Sequence, residues 1–141
     1  MEERNTDKAP AEIGFEQLAV DYEFPPVSYE LSESAISRYL EAVDGQGGYQ
    51  VLSGLVPPTL IAAYSLGVLS ELISVSAGSI HASQELEFLK LVPIGATIEC
   101  HGKVVQKLHR GRLRLLVIEL GTFNQDREQV LAGKTTLVLP D

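Results

Sequence analysis

An apolar stretch behind a pair of prolines is the feature that most limits what this chain can fold into. From Leu60 to Ile73 only two serines and one glutamate are strongly polar. A helix over this stretch has no broad polar face, so the sequence predicts that it lies inside the protein. It is too short to cross a bilayer, which takes roughly twenty apolar residues. Pro57 and Pro58 predict where the helix begins, because proline loses no hydrogen bond in a first turn.

The rest of the chain predicts a sheet that would enclose such a helix. Val27–Glu30 fits a short strand, and the next segment fits a one-sided helix that Ser32 caps and that ends by Asp44. After Gly78 the spacing is that of strands and tight turns, with strands expected over residues 79–89, 97–107, 112–123 and 128–139. Helices followed by a run of antiparallel strands indicate an α+β fold.

Composition and charge exclude several functional classes. The 141 residues fit one domain, and 19 acidic against 11 basic side chains give a net charge of −8, which leaves no cationic excess for nucleic acid. Residues 1–26 hold seven acidic and two basic residues and are interpreted as an acidic arm ahead of a single domain over residues 27–141. Cys100 is the only cysteine, and the three histidines lack zinc-site spacing, so neither a disulfide nor a metal site is expected. The first residues show no basic and apolar leader pattern, which predicts a cytoplasmic location without a membrane partner.

Three short segments follow one another in an informative order: SRYLEAVD at 37–44, GLVPPTL at 54–60, and the stretch from His81 to Gly95. Together they resemble the MaoC-like family of (R)-specific enoyl-thioester hydratases and 3-hydroxyacyl-thioester dehydratases. In the third segment His81, Gln84, Phe88, Val92 and Gly95 match the family, whereas Leu91 and Ala96 replace a proline and an aspartate. The resemblance implies a hotdog fold, in which an antiparallel sheet wraps around a long central apolar helix.

The sequence departs from the family pattern at the position of the catalytic histidine. Active members resemble one another in an Asp-x-x-x-x-His element, whose two residues act on a water and on the α-proton of the thioester. Tyr49 stands five residues after Asp44, and a phenol with an ordinary pKa of about 10 is a poor general base. The resemblance thus makes Asp44 and Tyr49 the catalytic candidates of a hydro-lyase without its usual histidine, similar to the non-catalytic subunits of heterodimeric dehydratases. Alternatively, Asp44 is a solvated carboxylate beside a glycine loop, and Tyr49 packs or forms hydrogen bonds.

The resemblance also implies the ligand, an acyl thioester of coenzyme A or of a carrier protein, with no other cofactor. The expected substrate-binding residues surround the start of the apolar helix: Gly54, Pro58, Thr59 and Leu60. First-turn amides of Thr59 and Leu60 lack partners within the helix and could polarise a thioester carbonyl, unless Thr59 only caps its own helix. Lys107, Arg110 and Arg112 belong to the main basic concentration and are expected either to contact the phosphates of coenzyme A or to form a hydrated surface.

Other functions and two assemblies stay open. Thioester hydrolysis would use Asp44 or Glu71 as its base, and a non-enzymatic binding or regulatory module would fit the acidic arm. Because a sheet of this kind leaves an edge exposed, a homodimer or a heterodimer with another hotdog subunit is expected. His81 is expected to be packed on its strand, and Cys100 to be a buried, inert thiol.

Overall fold

The structure, a computed structural model, describes residues 15–44, 54–70 and 78–140. Its helices are α1 (Glu33–Asp44) and α2 (Pro58–Leu66), with short 3-10 helices at Phe15–Gln17 and Gly67–Leu69. Its strands are β1 (Val27–Glu30), β2 (Ile80–Phe88), β3 (Thr97–Arg110), β4 (Leu113–Asn124) and β5 (Gln129–Leu139). Tyr49 and Glu71, both named above as candidates, lie outside the described residues.

The strands form one antiparallel sheet in the order β1-β3-β4-β5-β2. One face, called here the inner face, carries the core, because apolar side chains alternate along the central strands. The buried inner-face residues include Ile98, Cys100 and Val104 on β3 and Leu116, Ile118 and Leu120 on β4. The opposite, outer face carries polar and charged side chains such as Glu99 and Lys103. The predicted α+β order is confirmed.

The helix α2 packs on the inner face. Its Leu60, Ile61 and Ser65 are buried, and the chain continues through the 3-10 turn with Val68 buried as well. A Cβ at Gly102 would lie 3.1 Å from Val68 Cγ2, so this glycine lets the end of the helix approach β3 closely. The opposite side of α2 is less enclosed than predicted, because a single sheet covers only one side of a helix.

The helix α1 follows its sequence signals. The Ser32 hydroxyl accepts a hydrogen bond from the Ala35 amide at 3.2 Å, which is the predicted N-cap, and the helix ends at Asp44. Its buried residues Ile36 and Leu40 lie one turn apart, as expected for a one-sided helix. Neither helix in the described parts of the chain combines the length and the apolar character needed to span a bilayer.

The described part of the N-terminal arm extends the sheet along β3. The Asp21 amide donates to the Val104 carbonyl at 2.7 Å, and the Phe24 amide donates to the Gly102 carbonyl at 2.9 Å. Phe24 is buried, as is Leu18 at the start of this segment. This part of the arm therefore contributes to the core.

The β3–β4 turn is tighter than the sequence indicated. Leu108 and His109 were expected in the connection, but they pair with Leu115 and Arg114 as the end of β3. Gly111 has a φ of +58°, the left-handed conformation that glycine adopts most easily, and it makes the reversal. Two residues are therefore enough for the connection.

Candidate functional site

Short antiparallel contacts fix the entrance of α2 to the loop between β2 and β3. The Val56 amide donates to the Val92 carbonyl at 2.8 Å, and the Ile94 amide donates to the Gly54 carbonyl at 2.9 Å. Gly54 has a φ of +69° in open space, so backbone conformation rather than crowding favours glycine there. Pro57 and Pro58 then start the helix as predicted, with Pro57 as the N-cap.

The first turn of α2 presents Thr59 to solvent. Thr59 Oγ1 lies 2.5 Å from Tyr39 Oη of α1. Because α2 has no side-chain cap hydrogen bond, the interpretation of Thr59 as the cap of its own helix is wrong. The Leu60 amide donates to the Pro57 carbonyl at 3.0 Å. Of the two amides expected to polarise a carbonyl, that of Leu60 is therefore already engaged within the turn.

An apolar hollow of about 160 Å³ opens beside this turn. Its lining is Val56, Pro58, Ile61, Phe88, Leu89, Lys90, Leu91 and Val92. The only charged member, Lys90, pairs with Glu128, and the hydrogen bond from Lys90 lowers the pKa of that carboxyl. Leu91 at the rim is 73% exposed. The hollow suits an alkyl group, because apart from Lys90 its lining carries no titratable side chain.

The candidate Asp44 is the last residue of α1, and the structure describes its backbone only. Tyr39, which contacts Thr59, lies five residues earlier on the same helix. A rise of about 1.5 Å per residue places the Asp44 backbone about 7.5 Å farther along the helix axis. Asp44 thus belongs to the helix whose Tyr39 side chain meets the α2 entrance. A joint action of Asp44 and Tyr49 stays a prediction.

A β-bulge between Val104 and Gln106 divides the basic residues that the sequence grouped together. An extra residue turns the following side chains to the opposite face of a strand. Lys107 therefore lies on the inner face. Its Nζ donates to the Phe15 carbonyl at 2.8 Å and lies 4.2 Å from the centroid of the Phe15 ring. His109 also contacts the Phe15 ring, with centroids 6.1 Å apart. Lys107 thus holds the arm in place.

Arg110 and Arg112 are exposed at the β3–β4 turn, which is remote from the α2 entrance. The entrance lies beside Val92, ahead of β3, whereas Arg110 is the last residue of that 14-residue strand. At about 3.3 Å per residue, β3 is roughly 43 Å long. Within one chain, the structure does not bring these two arginines together with Thr59. Their contact with coenzyme A phosphates stays a prediction.

His81 is exposed on β2 rather than packed as expected. Its Nε2 lies 2.9 Å from Gln84 Oε1, which also accepts a hydrogen bond from Thr135 Oγ1 at 2.6 Å. Because an amide oxygen only accepts, Nε2 of His81 carries the proton. The expectation was wrong because β2 is the last strand of the sheet, where little covers a side chain on either face.

Cys100 lies with two hydroxyl groups between α2 and the sheet. The thiol is fully buried, and Ser65 Oγ lies 2.6 Å from Thr122 Oγ1. Ser65 donates its proton to the Ile61 carbonyl at 2.7 Å, so the Thr122 hydroxyl donates to Ser65. Burial is the largest influence on the Cys100 thiol and raises its pKa. The thiol is buried as predicted, and a raised pKa disfavours its reactive thiolate.

We expect the stability of the protein to fall at alkaline pH partly through Cys100. Because its folded-state pKa is raised, the stabilisation is complete below the ordinary thiol pKa of about 8.5 and is lost as the pH rises above it. Urea denaturation from pH 7 to pH 10 measures the decline, and Cys100→Ser should reduce it. Burial also raises the pKa of Tyr29, so some decline should persist in the variant near pH 10. Native Cys100 reacting with a thiol reagent as fast as the unfolded chain would contradict this account.

A second, larger groove lies on the outer face, so the sheet separates it from α2. It encloses about 1,080 Å³ above the small residues Gly121 and Ala132. At one wall His101 Nε2 lies 2.6 Å from Glu99 Oε1 and the imidazole meets the Phe123 ring edge-on. The smaller hollow is the better candidate site, because it adjoins the first turn of α2. No group of three His, Cys, Asp or Glu side chains able to hold a metal ion occurs in the described parts of the chain.

Comparison with known proteins finds similarity in structure rather than in sequence. No protein-family model matches the chain, and no curated protein matches it either. The unliganded (R)-hydratase PhaJ1 from Pseudomonas aeruginosa superposes with a TM-score of 0.74 at 19% identity, over 92% of this chain and 87% of that chain. The MaoC-like dehydratase from Rhodospirillum rubrum superposes with a TM-score of 0.69 at 19% identity, over 89% and 96% of the two chains. The chain has the hotdog fold.

A third similar structure is the C-terminally truncated HadBC (3R-hydroxyacyl-ACP dehydratase) complex from Mycobacterium tuberculosis. It matches with a TM-score of 0.64 at 19% identity, over 84% of this chain and 96% of that chain. At such identities the likeness concerns the hotdog fold itself, with α2 as its central helix. The fold predicted above is confirmed, and hydratases and dehydratases of the kind that the sequence resembles are among its structural neighbours.

Proposed function

We propose that this hotdog protein binds acyl thioesters at the entrance of α2, as a catalytically weakened or non-catalytic relative of the MaoC-like hydratases and dehydratases. The observation that carries the proposal is the position of the exposed Thr59 turn directly beside the apolar hollow. A carbonyl and an alkyl chain, the two ends of an acyl group, need these two surroundings side by side.

In the proposed complex the alkyl chain fills the hollow and the thioester carbonyl meets the first turn of α2. The amide and the hydroxyl of Thr59 are the donors available for the carbonyl oxygen, since the Leu60 amide is engaged with Pro57. The Tyr39 hydroxyl, 2.5 Å from Thr59 Oγ1, orients the threonine side chain. Such donors at a helix start stabilise negative charge on oxygen.

Hydration of an enoyl thioester adds hydroxide from water to Cβ and a proton to Cα. The reaction therefore needs a base that activates the water and an acid that protonates Cα, both beside the bound acyl chain. Asp44 closes α1, the helix whose Tyr39 contacts Thr59. Tyr49 replaces the second catalytic group, and a phenol rarely accepts a proton near neutral pH. We therefore propose binding with slow turnover. An active partner subunit would supply the full pair of groups.

Pairing with a second hotdog subunit is part of this proposal. The strand β2 is the last strand of the sheet, and within the described residues no strand pairs with the edge that faces away from β5. Ile80 and Phe88 on this strand are 60% and 46% exposed. Neither proline nor lysine blocks the edge, although such residues usually protect an edge strand from pairing. Both features support an edge that pairs with another chain.

Crotonyl-CoA tests the binding and the chemistry together. We expect saturable binding in calorimetry, with loss of the conjugated enoyl absorbance far slower than in an active hydratase. Rapid loss of that absorbance by the protein alone would contradict the non-catalytic assignment, and rapid release of free thiol would identify a thioesterase instead. Absence of any binding to crotonyl-CoA or longer enoyl-CoAs would contradict the proposal as a whole.

Thr59 provides a matched pair of variants for the same measurement. Thr59→Val keeps the shape of the side chain but removes the hydroxyl, and one hydrogen bond is worth about 1 kcal/mol. We expect about fivefold weaker binding of crotonyl-CoA by Thr59→Val, whereas Thr59→Ser should stay close to the wild type. Equal affinities of both variants would place the carbonyl elsewhere.

A further inference from the structure

A row of alternating charges crosses the whole outer face of the sheet. Directly opposed residues along the strand pairings are, in order, Glu23 of the arm, Lys103 on β3, Glu119 on β4, Lys134 on β5 and Glu85 on β2. Opposed residues in an antiparallel sheet share a face and lie about 5 Å apart, so each charge in this row has opposite charges beside it. The row, called here the charge row, reaches the unpaired edge of β2 with a negative member.

The edge of β2 carries a second negative charge next to the first. Glu87 lies on the same face as Glu85, and its neighbour across on β5 is the uncharged Ala132. Both glutamates are exposed. A chain that pairs with β2 would therefore continue the charge row best with a lysine or an arginine opposite each glutamate.

A second copy of this chain does not offer such cations. The strand Ile80–Phe88 contains no lysine or arginine. Antiparallel self-pairing centred on Glu87 would place Leu86 against Phe88 of the other copy, but it would also place the two copies of Glu87 opposite each other. Self-pairing centred on Leu86 would place Glu85 of each copy opposite Glu87 of the other, so that two pairs of carboxylates would meet. Like charges in directly opposed positions destabilise a strand pair.

A register centred on Gln84 avoids these contacts, because it would place Glu85 of one copy opposite Ser83 of the other. This register runs into the β-bulge between His81 and Ser83, however, which interrupts the regular pairing. It would also move Leu86 and Phe88 away from their counterparts in the other copy. Within β2, the two registers that join Leu86 to Leu86 or to Phe88 of the other copy thus oppose carboxylates, and the net charge of −8 adds a general repulsion between copies.

We propose that the β2 edge selects an unlike chain, whose own edge strand carries lysine or arginine opposite Glu85 and Glu87. The inference rests on the proposed pairing along β2 and names the chemistry of the partner. Leu86 and Phe88 supply apolar contact on the inner face, while the charge row excludes a second copy on the outer face. The edge thereby distinguishes its partner from itself by charge.

Charge reversal makes a partner of this kind from the protein itself. The variant Glu85→Lys with Glu87→Lys should repel its own copies as the wild type does, while a mixture of wild type and variant should pair. Isotope-labelled wild type and unlabelled variant, mixed in equal amounts, are followed by native mass spectrometry and sedimentation velocity. We expect the mixed pair to form at least tenfold more tightly than either self-pair, and to weaken as salt screens the charges.

A control variant separates local charge from net charge. Glu33→Lys with Glu41→Lys changes two exposed residues of α1 and raises the net charge by the same amount. A mixture of wild type with this control should form no preferred pair. Wild-type homodimers as tight as the charge-reversed mixed pair would overturn the inference while leaving edge pairing intact. Monomers in every mixture would overturn edge pairing itself, which the crotonyl-CoA measurement does not depend on.

Discussion

Replacing Ile118 with alanine is expected to lower the free energy of unfolding by about 2–5 kcal/mol, the usual cost of removing a large aliphatic side chain from a core. Ile118 is fully buried on β4, the central strand, with Val104 and Thr135 as its neighbours on β3 and β5. It lies on the inner face, against which α2 packs. Since domains of this size are stable by about 5–15 kcal/mol, urea denaturation should show a large shift of the midpoint.

The adjacent residue gives the matched control. Glu119 is exposed on the outer face of the same strand and loses only its charge pairs with Lys103 and Lys134, so Glu119→Ala should lower the free energy of unfolding by about 1 kcal/mol at most. The contrast between two neighbours tests which face of the sheet carries the core. Similar losses in both variants, or a loss at Glu119 alone, would contradict the assignment of the inner face.

The parts of the fold that the sequence predicted are those that depend on local spacing. Pro57 and Pro58 fix the start of α2, because proline restricts the backbone before and within a first turn. Ser32 identifies the start of α1 for a similarly local reason. Cys100 was expected to be buried, and it is, together with Ile98 on the same face of β3. Local chemistry sufficed for these elements.

The errors concern features that depend on position within the sheet. Leu86 and Phe88 alternate with glutamates as a half-buried strand would, yet β2 is exposed almost throughout because it is the last strand. The bulge after Val104 leaves no clear mark in the sequence, although it turns Lys107 from the outer to the inner face. Neither sheet order nor a bulge can be read from the periodicity of a single strand.

The candidate site was predictable in its location but not in its contacts. The proline-rich entrance pointed to Thr59, whereas its hydrogen bond to Tyr39 joins two helices that the sequence separates by 20 positions. Tyr39 belonged to the apolar stripe of α1 and gave no sign of a polar role. The lining of the hollow combines residues 56–61 with residues 88–92, and only the folded chain brings these segments together.

Affinity for acyl-CoA thioesters is expected to increase steeply with chain length until the hollow is full. Each methylene moved from water to apolar surroundings contributes about 0.8 kcal/mol, which corresponds to about fourfold in affinity. Four further methylenes would thus strengthen binding roughly 200-fold, far more than the hydrogen bond at Thr59 contributes. Calorimetry with a series of saturated acyl-CoAs measures the slope, and free coenzyme A gives the reference without a chain.

Variants at two exposed leucines show whether the acyl chain binds in the hollow or elsewhere on the surface. Leu91 lies at the rim of the hollow, whereas Leu113, 53% exposed, lies at the remote β3–β4 turn. A carboxylate at the rim draws water to the position of the chain, so Leu91→Asp should flatten the dependence on chain length while Leu113→Asp leaves it unchanged. If affinity does not increase with chain length in the wild type, or if both variants reduce the slope equally, the acyl chain does not occupy the hollow beside Thr59.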